Sequence, residues 1–167
     1  MNQTIEKTTL SNLVFNEDYC RKVLPFIKPD YFDIKEEKVV FEEIIKFVDK
    51  YKKIPTKTSL EIEIEHRKDL TEVEHDKVVE LIQSLNPAEV DFDWLVDTTE
   101  KFCKDKAIYN AVVEGISIID GKDKKRSPDA IPSILTDALA VSFDNAVGHD
   151  YFDDSDKRFE FYHKVEE

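Results

Sequence analysis

The sequence is short of glycine, proline, cysteine and positive charge, and each shortage removes a class of protein. Three glycines and six prolines in 167 residues are too few for the many tight turns of an all-β fold. The two cysteines, Cys20 and Cys103, stand far apart with no C-x-x-C. That excludes a disulfide framework and a thiolate metal site, and predicts two small buried residues in a reducing compartment. No apolar run approaches the ~20 residues of a membrane span, and no secretory leader pattern is present. Lys and Arg number 24 against 37 Asp and Glu, a net charge of -13, which repels phosphate backbones and excludes a free-standing nucleic-acid binder. Catalytic motifs are missing as well. The glycines are Gly115, Gly121 and Gly148, and of these only Gly121 precedes a lysine. No G-x-x-x-x-G-K-[ST] loop can be assembled from them, so ATP hydrolysis by this sequence is excluded. There is no G-x-S-x-G elbow for a nucleophile. His149 with Asp150, Asp153 and Asp154 has the residue types of a metal site, yet an acidic segment with one histidine is ordinarily solvated. His66, His75 and His163 have no ligand pattern around them, and no metal or cofactor is expected.

What the chain does have is 41% apolar residues, with aromatics making up 11% of the chain, arranged with helical spacing, which predicts an all-α fold. A first short helix carries Leu10, Leu13 and Val14 and ends near Phe15. Asn16 caps a second, with Glu17 and Asp18 at its positive end and Pro25 and Pro29 beyond it. The stripe Val40, Phe41, Ile44, Ile45, Phe47, Val48 and Tyr51 predicts a central helix over about 35–51. Two T-x-x-E patterns, Thr58 with Glu61 and Thr71 with Glu74, read as capping boxes for two more helices. Asn86-Pro87 closes this head, assigned to residues 1–92.

From Asp93 the pattern lengthens. Leu95, Thr98, Phe102, Asp105, Tyr109, Val112, Ile116 and Ile119 alternate at three and four, a heptad seam broken only by Asp105. Gly121 supplies a stop, the loop GKDKKRSPD turns the chain, and a helix capped by Asp129 with Pro132 in its first turn returns antiparallel. Residues 93–143 therefore read as a long helical hairpin. Its apolar arc, with Ile131, Leu135 and Leu139 on the second helix, exceeds what two helices bury, so Phe102, Tyr109, Val112, Ile116, Ile131, Leu135 and Leu139 are the expected oligomer interface. Lys122, Lys124, Lys125 and Arg126 at the tip are candidate DNA contacts, against the plainer reading of a solvated turn. Trp94 is expected as a core anchor between head and hairpin. Residues 144–167 read as an acidic aromatic linker and a short linker helix, whose Phe159, Phe161 and Tyr162 need a dock outside this domain.

The order SFDNAVGHDYFDD after a helix beginning AIPSIL, supported by SNLVFNEDYCRKVLPFIKPDYF and WLVDTTEKF, resembles the junction between N-terminal and ATPase domains in the DnaB-like replicative DNA helicases of large tailed bacteriophages. The resemblance implies a collar domain that assembles as a ring of dimers, holds motor domains in register, and offers a surface to primase and to a helicase loader. It implies ATP and Mg only for a motor domain absent here, weak single-stranded DNA contact through the ring, and the cytoplasm of the bacterial host. It also implies that the linker helix packs on a neighbouring motor. Two other classes fit the residues alone: an acidic DNA mimic that inhibits a host DNA-binding enzyme, motivated by the net charge, and a small metal-dependent hydrolase around His149.

Overall fold

A computed structural model describes residues 4–143 and Phe152. Their regular structure is seven α-helices and three short 3-10 turns, with no strand: α1 (Ile5–Phe15), α2 (Glu17–Val23), α3 (Lys35–Tyr51), α4 (Lys57–Glu65), α5 (Glu72–Ser84), α6 (Phe92–Ile119) and α7 (Ile131–Leu139). The fold is all-α, as composition and periodicity require.

Local signals set most of the boundaries. The Thr4 hydroxyl accepts from the Lys7 N–H to start α1, and Asn16 accepts from the Tyr19 N–H to start α2, each satisfying an otherwise orphaned donor. Thr71 and Glu74 form the expected capping box of α5, each side chain bonded to the other's backbone N–H. At α4 the cap is Thr56, whose partner is Ser59, and the expected Thr58–Glu61 box does not form. The extended residue that can turn its hydroxyl onto the first turn is Thr56, while Thr58 already lies inside the helix. At the far end of α6, Gly121 has φ +76°, and the N–H groups of Gly121 and Lys122 return to the carbonyls of Ile118 and Ser117, the Schellman closure that glycine adopts without strain. The second arm of the hairpin starts later than expected. A 3-10 turn over Pro128–Ala130 leads into α7, and Asp129 donates no cap.

The head is built on α3, whose Val40, Phe41, Ile44 and Val48 are buried between α1, α4 and α5. The first half of α6 belongs to that same core: Leu95, Thr99, Phe102 and Cys103 are buried. Phe102 leans on Phe32 at 5.9 Å between ring centroids. The OH of Tyr19 on α2 lies 2.6 Å from the Thr99 hydroxyl, 80 residues away in sequence. Beyond Asn110, whose Nδ2 still donates to the Asp30 carbonyl of the head at 3.0 Å, α6 leaves the head, and its second half is covered on one side by α7. After α7 the chain comes back to the head, where the Phe143 N–H donates to Glu100 Oε2 at 2.6 Å and its ring stacks on Phe26 at 5.0 Å. Phe152, inside the segment expected to be linker, is buried with its ring under the Arg21 guanidinium at 4.3 Å.

Candidate functional site

The face that α7 covers on α6 is made of small residues: Ala107, Ala111 and Gly115 are buried there, with Ile118. A Cβ on Gly115 would sit 3.5 Å from the Ile131 side chain, so the two helices approach through a groove without side-chain bulk. The expected seam is therefore rotated. Its large members in this half, Tyr109, Val112, Ile116 and Ile119, face outward and are 60, 46, 53 and 68% exposed. The physical reason is size. Close approach of helix axes selects Ala and Gly, while a pattern read from bulky residues points away from them. The spacing of Ala107, Ala111 and Gly115, four apart, was the available signal.

The expected interface residues thus separate into three groups. Phe102 is corrected: it is 6% exposed and belongs to the head core. Ile131 and Leu135 are half-buried on α7. Tyr109, Val112, Ile116 and Leu139 are open, Leu139 at 71%. Ile108 and Val113, missed in the sequence, widen the outward stripe. It runs from Ile108 to Ile119, ~17 Å of helix at 1.5 Å per residue, and stops towards the head at an ion pair, Lys101 Nζ to Asp105 Oδ2 at 2.8 Å. Trp94 is also corrected, since it lies 52% exposed at the start of α6 and anchors no core.

The hairpin tip is less basic than its sequence. Arg126 pairs with Asp123 at 2.7 Å and with Glu114. Its guanidinium holds the Asp123 carboxyl below the usual carboxylate range, and the pairing raises Arg126 above its ordinary value. Lys122, Lys124 and Lys125 are exposed beside it. Among the described residues no group of His, Cys, Asp and Glu could hold a metal, and no helix is long and apolar enough to cross a membrane. Cys20 and Cys103 are buried and unlinked, and burial pushes each thiol up to about 12, which leaves them inert as nucleophiles. Phe159, Phe161, Tyr162, His149 and the aspartates near it lie outside the described residues.

The described residues thus form a helical head from which a long helix projects with one bare apolar face. Comparison with known proteins makes this specific: residues 1–93 match the model of the DnaB-like helicase N-terminal domain. The chain is 36% identical over 158 residues to the DnaB-like replicative helicase of Enterobacteria phage T4, covering 90% of this chain and 33% of that protein. The chain belongs to the DnaB-like helicase N-terminal domain family, and spans about a third of the length of the relative it matches.

Proposed function

We propose that this chain is the collar of a hexameric phage replicative DNA helicase in the cytoplasm of the bacterial host. In this reading residues 1–92 with the first half of α6 form the head, the remainder of 93–143 the assembly hairpin, and 144–167 lead towards a motor domain. The outward stripe of α6 pairs with a second copy, the pairs close into a ring, and the head surface is offered to primase and a helicase loader. ATP and Mg serve only the motor, since this sequence has no phosphate loop. Single-stranded DNA meets the tip lysines weakly, because Arg126 is already engaged by Asp123 and Glu114.

The observation that supports the reading is the stripe itself. Val112, Val113, Ile116 and Ile119 are all more than two-fifths exposed on consecutive turns, and monomers rarely leave such a continuous apolar face bare. An isologous pair of copies would cover it without a second protein. Sedimentation velocity of the 167-residue chain tests this. The chain should associate in a concentration-dependent way, and Val112→Asp/Ile116→Asp should be monomeric with unchanged helical circular dichroism, because both side chains are exposed. A wild-type chain that remains monomeric at about 100 µM, indistinguishable from the variant, overturns the pairing role.

A further inference from the structure

A cavity of about 380 Å³ lies between α1, the start of α3 and α5, on the head and away from the α6 stripe. Its apolar wall is Ile34 and Leu81 and its acidic wall is Glu36, Glu37 and Glu80. Two observations mark it. The first is Ile34, which stands at the N-cap of α3 with no capping bond and is 55% exposed, at a position where Ser, Thr, Asp or Asn would be the stabilising choice. The second is Glu37. Two glutamates are buried among the described residues, Glu37 at 7% and Glu43 at 4% exposure. Glu43 is matched by Arg67 and Lys46, each at 3.3 Å. Glu37 has no hydrogen bond or ion pair with any described residue. Lys106, the cation on α6 whose field reaches Glu37, is bonded to Asp33. Glu37 is thus a largely buried residue whose carboxylate reaches solvent only at this cavity and meets no cation of the described residues; partial desolvation without a partner is costly, and a cation arriving from outside would relieve it.

We propose that this cavity binds a primary alkylammonium group, with the ammonium on Glu37 and the alkyl stem against Ile34 and Leu81. The chemistry selects this class over other cations. A metal ion would need several ligands, and no ligand cluster exists among the described residues. An ammonium carries three donors. Besides Glu37 it can use the hydroxyl oxygen of Ser84, which lines the cavity and has its proton on the Leu81 carbonyl at 2.6 Å, leaving that oxygen free to accept.

Binding is coupled to pH. Burial, reinforced by Glu6 on α1 and by Asp33 and Glu36, pushes Glu37 up to about 7, and Lys106 on α6 opposes the shift. Lys7 on α1 and Lys77 and Glu80 on α5 are the other charges around the cavity. An alkylammonium with a pKa near 10.4 stays charged throughout, so it displaces the Glu37 proton near neutrality. With a pKa of about 7, Glu37 is about one-eleventh ionised at pH 6 and ten-elevenths at pH 8, an affinity ratio of about 10.

NMR titration of the 167-residue chain with n-butylamine, 1,4-diaminobutane and tetramethylammonium, at pH 6 and pH 8 and constant ionic strength, tests the site. The two amines should shift the Ile34 and Leu81 methyl signals saturably and about 10-fold more tightly at pH 8. Glu37→Gln should lose the effect while Glu65→Gln keeps it. A diamine at least about tenfold tighter than the monoamine assigns the site to a free polyamine, and equal binding assigns it to a lysine side chain of a partner; both uphold the proposal. It is overturned by the absence of saturable shifts at pH 8, by equal response to tetramethylammonium, or by unchanged binding in Glu37→Gln. Saturable amine binding that appears only in Lys77→Met also overturns it, because the chain's own lysine would then be the occupant.

Discussion

The contact between Tyr19 and Thr99 ties the head to the long helix, and its polarity can be worked out. Both residues are fully buried. Thr99 has one hydroxyl proton, and Thr99 Oγ1 is 2.7 Å from the Leu95 carbonyl, which can only accept. Tyr19 must therefore be the donor in the 2.6 Å contact between the two hydroxyls. Burial pushes the Tyr19 phenol up to about 12, against the lowering effect of its hydroxyl neighbours, so it holds that proton at every working pH. The two deletions are then unequal. Tyr19→Phe leaves Thr99 bonded to Leu95 and costs about 1 kcal/mol, the net value of one hydrogen bond. Thr99→Val keeps the shape but strands a buried donor, at about 2 kcal/mol. The nearest relief is Thr9, whose buried hydroxyl lies beside the Tyr19 phenol and makes no hydrogen bond of good geometry. Thr9→Val/Thr99→Val should therefore lose more than the sum of its parts. Urea unfolding followed by circular dichroism reads these differences, because 2 kcal/mol moves the midpoint by about 1 M at the usual slope. Adding Tyr19→Phe to Thr99→Val should recover stability. If Tyr19→Phe alone costs more than Thr99→Val, or the double variant is the least stable of the three, the assigned polarity is wrong.

Glu37→Gln should stabilise the chain at pH 8 and not at pH 4. The folded-state pKa is raised from 4.5 to about 7, so the folded chain holds the extra proton. The penalty is absent below about pH 4.5 and complete above about pH 7, where 1.36 kcal/mol per unit bounds it at about 3 kcal/mol and solvent in the cavity screens it below that. Denaturant melts of both chains across that range give the difference, and a pH-independent difference would refute it. Thr56→Ala and Thr71→Ala should each cost about 1 kcal/mol as losses of a cap, whereas Thr58→Ala, inside α4, should stay within about 0.5 kcal/mol. Thermal unfolding orders the three.

Where a signal was local, the sequence carried it. Asn16, Thr71 with Glu74, and Gly121 each act within a few residues of themselves, and each does in space what its spacing says. The direction of α6 was not legible, because hydropathy weighs Tyr109 and Ile116 above Ala111 and Gly115, and steric fit weighs them the other way. Trp94 followed the same rule, since size alone does not say which side of a helix the head will occupy. Contacts between distant residues left no trace at all. Lys57 reaches across to the carbonyls of Gln83 and Leu85, at 2.7 and 2.9 Å, and closes the end of α5. Arg67 gathers Glu42, Glu43 and Asp69. Glu37 differs from Glu43 only in lacking such a reach from elsewhere, and a sequence does not display a missing partner.

The return of the chain to Glu100 has a mechanical consequence. Residue 143 is fixed at the waist of α6, 19 residues from Ile119 and so ~28 Å from the tip, by a backbone bond to Glu100 and a stack on Phe26. Tension applied to the chain beyond that point is delivered to the base of the long helix and to the head, and it bypasses α7. The contacts of α7 on Ala107, Ala111 and Gly115 carry no load until the contact of Phe152 with Arg21 and the anchor at Phe143 have both yielded. The projecting half of α6 can thus keep its outer face steady while force is exerted on the other end of the same chain. Weakening the Phe143 anchor would convert a shear on one bonded junction into a peel along the whole arm.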